Sequence, residues 1–293
     1  MTSGILLLDK PSGLSSNAAL QRVRRLVGAA KAGHVGSLDP LATGMLPICL
    51  GEATKIAGEI LSGRKLYRFT VSLGTRTATG DLEGAVVESL PVPALDAQQL
   101  QAVLQRFHGQ LMQVPPMYSA LKRGGQPLYR LARSGIEVAR EPRAIEIFEL
   151  RLVTSTAGSL ELEALCSKGT YVRTLAEDIA VSLGTCGHVS SLRRLYVEPF
   201  VAAPMETLES IATAREAGAQ PTIQPPDAPL QHLPAVHLQS AHAVSIRHGQ
   251  SLAMESHEPP GRRRLYDGEG LFMGLGELGA DGRLSPRRLL RAD

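Results

Sequence analysis

Residues 33–51 (GHVGSLDPLATGMLPICLG) contain several glycines and prolines, which direct the course of the backbone, and a single carboxylate, Asp39. The glycines of this stretch allow sharp turns or a close approach of the backbone to another group. Pro40 fixes its own φ angle and favours an extended conformation for Asp39. The stretch therefore predicts a loop that presents Asp39, with His34 five residues upstream.

Asp39 also has a purely structural interpretation. An Asp at the N-cap followed by Pro at the first helical position is a common start signal, so the pair predicts a helix that begins at Pro40. The two interpretations are compatible, because a carboxylate at the end of a loop can both cap a helix and react.

Composition and cysteine usage predict a soluble, cytoplasmic globular protein. The 293 residues are 43% hydrophobic and 20% charged, which is typical of a chain with a sizeable core. We expect neither a membrane span nor a signal peptide, because no long apolar run and no basic N-terminal region occur. The three scattered cysteines predict reduced thiols rather than disulfides or a zinc site.

Positive charge is concentrated in the part of the chain that contains Asp39. Residues 1–80 hold ten Lys or Arg and four Asp or Glu, a net charge of +6, whereas the whole chain carries +3. The other 213 residues therefore sum to −3. Such an excess suits a phosphate-bearing substrate, although a solvated helix face is the alternative.

Hydrophobic periodicity predicts a chain of mixed helices and strands. Apolar or alternating runs predict strands at 4–9, 65–73, 144–153 and 160–166. Amphipathic runs with capping residues predict helices at 15–26, 52–61, 96–107, 128–133 and 170–184. A Pro-rich segment at 221–234 predicts a linker, and the Gly- and Arg-rich residues after it predict a small β-barrel.

Several of these runs resemble one known family. The run G-H-V-G-S-L-D-P-L-A-T-G closely resembles the catalytic loop of the TruB-type tRNA pseudouridine synthases. Residues 9–16 (DKPSGLSS), 114–129 and 168–174 (KGTYVRT) are similar to that family as well, as is the final G-R-L-S-P-R-R-L. The match is long and contiguous around Asp39, so it is far more specific than a three-residue pattern.

The resemblance implies a fold and a division into domains. We expect an α+β catalytic domain of pseudouridine synthase type, with a mixed, largely antiparallel sheet, over residues 1–220. The linker at 221–234 would lead to a small C-terminal β-barrel at 235–293. In this family that position holds a PUA-like RNA-binding domain.

The resemblance also implies three catalytic residues. Asp39 corresponds to the nucleophile of the family, and Arg173 to the arginine whose guanidinium faces it. Tyr67 corresponds to the tyrosine that stacks on the uracil and moves a proton. An ionised Asp in a dry site needs such a cation nearby, because burial otherwise favours the neutral acid.

Further positions match residues that bind the substrate. Tyr171 and Leu192 correspond to residues that line the base pocket, beside Tyr67, and His34 to a residue that touches the RNA around the displaced base. Without the resemblance, both tyrosines and Leu192 would be interpreted as ordinary core residues.

The implied reaction is the isomerisation of uridine 55, flipped out of the T-loop of tRNA, to pseudouridine. Nothing is oxidised in it, so no cofactor and no metal are expected. The implied partner is tRNA, and we expect a monomer without a membrane or an obligate protein partner. Two alternatives stay open: an RNA-binding or RNA-folding protein with a structural acid loop, and a synthase guided to another RNA by partners.

Overall fold

The computed structural model describes residues 3–254 and 258–291. Its strands are β1 (Gly4–Lys10), β2 (Ala32–His34), β3 (Thr43–Leu50), β4 (Lys65–Leu73), β5 (Thr75–Thr77), β6 (Val86–Ser89), β7 (Gly109–Gln113), β8 (Lys122–Arg123), β9 (Gln126–Pro127), β10 (Arg143–Ser155), β11 (Ser159–Cys166), β12 (Gly187–Val197), β13 (Ala235–His237), β14 (Leu252–Ala253), β15 (Gly261–Tyr266), β16 (Phe272–Leu278) and β17 (Arg283–Leu289). Its α-helices are α1 (Ser16–Leu26), α2 (Ala57–Ser62), α3 (Ala97–Gln105), α4 (Leu128–Arg133), α5 (Val172–Ser182), α6 (Leu208–Glu216) and α7 (Ser240–Arg247).

The larger sheet has eight strands in the order β1-β3-β12-β4-β11-β10-β7, and β2 pairs with the edge of β3. All pairings are antiparallel except that between β3 and β12. The prediction of an α+β fold with a mixed, largely antiparallel sheet is therefore confirmed. Within the described ranges, no helix is long and apolar enough to cross a membrane.

Apolar side chains from both ends of the larger sheet share one core. Leu6, Leu46, Phe69, Leu162 and Ile179 are all fully buried there. Complete burial of one such side chain stabilises a fold by roughly 1.5–3 kcal/mol. Strands β3, β12 and β4 all contribute side chains to this core, and β3 begins directly after the Asp39 turn.

The predicted helix start at Pro40 is wrong. The amide of Ala42 donates to the carbonyl of Asp39 (3.1 Å), and the chain enters β3 directly after this turn. The carbonyl of Pro40 accepts from the amide of Gly13 (2.8 Å), so a neighbouring turn uses the group that a helix would need. Asp39 is thus presented by a turn between two strands rather than by a helix start.

The second sheet has five strands in the order β13-β15-β16-β17-β14 and curls into a half-barrel. Its own core is built of apolar side chains from the strands and from α7. The buried members of that core are Leu238, Ala243, Ile246, Leu265, Met273, Leu278 and Leu284.

The Pro-rich residues 221–234 are packed against the larger sheet. Gln224 and Ile5 exchange two backbone hydrogen bonds of 2.8 Å, and Leu230 is fully buried. The half-barrel docks beside them: Arg262 forms a 2.7 Å ion pair with Glu59 of α2. The segment therefore connects the two sheets as an ordered part of the fold.

Candidate active site

Asp39 and Arg173 meet at two points. Arg173 Nε lies 2.9 Å from Asp39 Oδ2, and Nη2 donates to Oδ1 over 3.2 Å. The Arg173 side chain, in the first turn of α5, is only 4% exposed, whereas the Asp39 side chain is 36% exposed. The carboxylate is thus open to a ligand on one side and held by a buried cation on the other.

Three further groups hold the Arg173 guanidinium in place. Nη1 donates to the carbonyl of Thr79 (2.8 Å), and Nη2 to the carbonyl of Tyr118 (2.7 Å). Nε also lies 3.7 Å from Oδ2 of Asp81, whose side chain is 4% exposed. The geometry of the pair with Asp39 is therefore fixed by the protein before any ligand arrives.

The pKa of Asp39 is raised above its usual range. Desolvation by the surrounding protein is the main cause, and the like charge of Asp81 adds to it. The charges of Arg173 and Lys10 act in the opposite direction and favour the ionised form. Arg173 is the larger of these two opposing charges.

Lys10 and Ser16 anchor the backbone on either side of Asp39. The Lys10 ammonium is fully buried and donates to the carbonyls of Leu14 (2.7 Å) and Pro40 (3.3 Å). Desolvation lowers the pKa of Lys10 to about 8. The Ser16 hydroxyl bonds both the amide (2.7 Å) and the carbonyl (2.9 Å) of Leu38.

Tyr67 projects from β4 and is 9% exposed. Its hydroxyl accepts a 3.4 Å hydrogen bond from Nη1 of Arg194, whose Cζ lies 6.0 Å from the ring centroid. Burial raises the pKa of Tyr67, and the nearby charge of Asp39 adds to this increase. Tyr67 therefore lies within electrostatic reach of Asp39.

Tyr171 occupies the N-cap position of α5, two residues before Arg173. The side-chain amide of Gln113 holds it by accepting from its backbone N–H (2.8 Å) and donating to its carbonyl (3.1 Å). Desolvation raises the pKa of Tyr171, and Asp39 contributes to this shift too. The charge of Asp39 thus influences the pKa of both tyrosines.

His34 and Leu192 lie on strands that flank this centre. His34 is on β2 opposite Ile48, and its Nδ1 is buried without a hydrogen-bond partner among the described residues. Leu192 is on β12 opposite Phe69, 7% exposed, within the main apolar core. Neither residue forms a hydrogen bond to Asp39 in the part of the chain that the structure describes.

Sequence reasoning assigned no site role to Lys10, Asp81 or Arg194. Lys10 stands in the D-K-P-S-G run, whose similarity to the family was a usable signal. Asp81 lies in a polar turn and Arg194 in a strand, where acids and arginines are usually solvated. Only the three-dimensional structure shows that both are buried.

Solved structures confirm the architecture. The fold is similar to a chain in the structure of an H/ACA RNP bound to a substrate RNA containing 2′-deoxyuridine (TM-score 0.73, 19% identity, 99% of this chain and 85% of that chain). It is also similar to one in a Cbf5-Nop10-Gar1 complex (TM-score 0.71, 21% identity, 99% and 84% coverage). At such identities these structures show the fold alone.

Family models place this chain in the class of the pseudouridine synthases. The family model described as TruB family pseudouridylate synthase (N terminal domain) matches residues 24–172. Models of the two C-terminal regions of the same family match residues 173–231 and 234–290. The chain belongs to the TruB family of pseudouridine synthases.

Full-length relatives agree with this assignment. The chain is 48% identical to tRNA pseudouridine synthase B of Stutzerimonas stutzeri, with 99% of this chain and 96% of the relative covered. It is also 48% identical to the protein of that name from Hydrogenovibrio crunogenus, with 98% and 93% covered. The resemblance stated from the sequence is confirmed, and the chain is an enzyme of the pseudouridine synthase class.

Proposed function

We propose that this enzyme converts uridine 55 in the T-loop of tRNA to pseudouridine, with Asp39 as the nucleophile. The observation that carries the proposal is the two-point contact between Asp39 and the buried guanidinium of Arg173. Relatives named tRNA pseudouridine synthase B, at up to 48% identity over nearly the whole chain, support tRNA as the substrate.

The reaction is an isomerisation that needs a nucleophile and proton transfer only. The N1–C1′ bond of uridine breaks, the uracil turns, and a C5–C1′ bond forms. C5 then loses one proton and N1 gains one, so atoms and electrons balance without an oxidant or reductant. Asp39 serves as the nucleophile, because a positioned carboxylate can form and release a covalent intermediate.

Arg173 keeps this nucleophile ionised. Burial raises the pKa of Asp39, and the guanidinium of Arg173 is the strongest opposing charge. A planar, permanently charged fork can bond both carboxylate oxygens at once. In our proposal Asp81 helps to fix the guanidinium, since its Oδ2 lies 3.7 Å from the same Nε that contacts Asp39.

The uridine must leave its loop to reach Asp39. Extrusion of a base costs a few kcal/mol, which stacking on an aromatic ring and phosphate contacts can offset. We assign the stacking to Tyr67, the lining of the base pocket to Tyr171 and Leu192, and an RNA contact around the displaced base to His34. The Tyr67 hydroxyl handles the proton at C5.

The basic residues of the chain differ in how readily they can reach phosphates. In the half-barrel, Arg262 is paired with Glu59 and Arg287 with Glu277, each at 2.6–2.7 Å. Phosphate contacts by these two would require an exchange of partners. We propose that residues 235–293 nevertheless bind RNA as a PUA-like domain, following catalytic residues 1–220 and the connecting segment 221–234.

The enzyme is proposed to act in the cytoplasm as a monomer without an obligate protein partner. The test is incubation of the purified chain with an unmodified tRNA transcript, followed by mapping of pseudouridine at single-nucleotide resolution. We expect product at position 55 and none with Asp39→Asn. A transcript with cytidine at position 55 is the matched substrate control. Lack of product from the purified chain alone would refute the proposal.

A further inference from the structure

Arg194 is a buried cation beside the active site. It lies on β12, opposite Gly44 of β3 and Tyr67 of β4, and is 1% exposed. Among residues 3–254 and 258–291, no carboxylate lies within ion-pair distance of its guanidinium. Because a buried charge without a counter-ion is costly, the guanidinium must be compensated by other partners.

Those partners come from three different segments. Nε donates to the carbonyl of Met45 (2.7 Å), Nη2 to the carbonyl of Gly36 (2.9 Å), and Nη1 to the hydroxyl of Tyr67 (3.4 Å). Gly36 precedes Asp39 in its loop, and Met45 follows it on β3. One planar side chain therefore ties both sides of the Asp39 loop to Tyr67.

Two glycines allow the loop to approach Arg194 this closely. Gly36 has a φ of +71°, and a Cβ there would lie 3.2 Å from Nη1 of Arg194. Gly44 has a φ of +96°, and its Cβ would lie 2.1 Å from the Arg194 carbonyl oxygen. Glycines on both sides of Asp39 therefore allow the loop backbone to contact Arg194 closely.

In the hydrogen bond between Arg194 and Tyr67, the donor and the acceptor are fixed. An arginine has donors only, so the Tyr67 hydroxyl oxygen must accept from Arg194. The hydroxyl's own proton therefore points away from Arg194, and one of its lone pairs is already used. The orientation of the hydroxyl is set by the protein rather than by free rotation.

We propose that Arg194 is a positioning residue for proton transfer, fixing the Tyr67 hydroxyl against the Asp39 loop so that it faces C5 of the bound uracil. This inference rests on the proposed function, in which Tyr67 handles the proton at C5. C5 gives up one proton and N1 takes up one, so no co-reactant is needed.

Electrostatics support this assignment. Burial raises the pKa of Tyr67, and the charge of Arg194 is the main opposing influence. The other groups that face Tyr67 are Cys166 from β11 and Asp39 from its loop, and both raise the pKa further. Arg194 therefore makes the Tyr67 hydroxyl more acidic than its other surroundings would.

The experiment compares Arg194→Lys and Arg194→Gln, each alone and combined with Tyr67→Phe. Lysine keeps the charge and loses the fork, whereas glutamine keeps a donor and loses the charge. Arg193→Lys is the matched control, because Arg193 is the neighbour on β12 and pairs with Asp9 instead (2.8 Å). Circular dichroism checks folding, and single-turnover rates are measured on tRNA transcript with hydrogen or deuterium at C5 of uridine 55.

We expect both Arg194 variants to fold and to bind tRNA as the parent does. Turnover should fall by about tenfold to a hundredfold, less than the hundredfold or more expected for loss of the proton-transfer group itself, because Arg194 acts only through Tyr67. The deuterium isotope effect should increase, because proton removal from C5 becomes slower. Both changes should be absent in the Tyr67→Phe background, since residues that act through one another are not additive. Arg193→Lys should leave both quantities unchanged.

Equal rate losses in both backgrounds, with an unchanged isotope effect, would show that Arg194 only holds the loop and would overturn the proposal. If neither variant folds, the side chain is required for the fold itself, and the proposal is overturned too. If Tyr67→Phe is too slow to measure, the isotope effect of the single variants decides. A parent that makes no pseudouridine at position 55 would instead refute the proposed function.

Discussion

Arg173 reaches Asp39 across 134 residues of sequence and bonds both of its carboxylate oxygens. The two residues come from different structural contexts, a strand-to-helix junction and a turn between strands. Their contact is therefore a product of the folded sheet and would be absent from an unfolded chain. It places a permanent positive charge beside a carboxylate whose pKa burial raises.

Asp39→Asn should abolish turnover while tRNA binding stays nearly intact. The amide has almost the same shape, but it cannot act as a nucleophile at the sugar or the base. Single-turnover product formation and filter-binding affinity measure the two properties separately. Asp267→Asn, in the half-barrel, is the control and should keep parental rates. Substantial activity in Asp39→Asn would rule out the assignment.

Arg173→Met should bind tRNA and turn over slowly, with a rate that increases with pH. Removal of the guanidinium removes the main charge that lowers the pKa of Asp39, while burial and Asp81 still raise it. The carboxylate of the variant therefore forms only at higher pH than in the parent. Arg173→Lys should show intermediate behaviour, because a point charge cannot bond both oxygens.

The pH profile distinguishes this role of Arg173 from simple phosphate binding. Single-turnover rates with saturating enzyme are measured at each pH for the parent and both variants. If Arg173 bound only a phosphate, Arg173→Met would lose affinity, keep a normal saturated rate and leave the pH profile in place.

Tyr67→Phe should keep uracil stacking and lose most of the turnover. The ring is retained, whereas the hydroxyl that accepts a hydrogen bond from Arg194 is removed. We expect a fall of about a hundredfold or more, typical for loss of a positioned proton-transfer group. Tyr171→Phe is the comparison, since we assign Tyr171 to the pocket wall rather than to proton transfer. Near-normal turnover in Tyr67→Phe would leave stacking as its only role.

The free energy of unfolding should increase as the pH rises from about 8 towards 10.5, because Lys65 loses its proton at a lower pH in the folded chain than in the unfolded one. Its side chain is buried, and desolvation lowers its pKa from 10.5 to about 8. In that window the unfolded chain binds more protons than the folded one, so the free energy of unfolding increases with pH. The contribution is at most about 1.4 kcal/mol per pH unit.

Urea unfolding of the parent and of Lys65→Met at several pH values tests this. The parent should gain stability relative to the variant as the pH passes through 8. The comparison is needed because burial raises the pKa of Cys166 to about 11, which acts in the opposite direction above the ordinary thiol value of 9. Parallel curves for the two proteins would contradict the expected shift at Lys65.

The sequence correctly predicted those helices and strands that are determined mainly by their own local residues. The helix from Ser15 is confirmed as α1, with the Ser15 side chain accepting from the amide of Ala18. The alternating run at 65–73 is confirmed as β4. The helix predicted at 52–61 is instead a 3-10 turn at Gly51–Ile56 followed by the short α2.

Long-range contacts explain the errors around Asp39. The Asp-Pro pair is a valid helix signal locally, but Gly13 and Lys10 from a distant turn bind the Pro40 carbonyl. Residues 43–50 form the buried strand β3, although Gly44 and Pro47 suggested a loop. Arg194 could not be assigned for the same reason, because its role depends on partners that only the folded sheet brings to it.

The half-barrel packs directly against the larger sheet and shares a buried apolar cluster with it. Leu275 of β16 belongs to the same buried cluster as Leu7 and Met45, and Lys55 donates to the carbonyl of Leu289 (2.8 Å). Heat should therefore unfold both sheets in a single calorimetric peak. A chain cut after residue 234 would lose Leu275 from this cluster and expose part of β1 and β3, the strands beside the Asp39 turn, to water. Its lowered activity would then measure a damaged core as well as weaker binding of RNA.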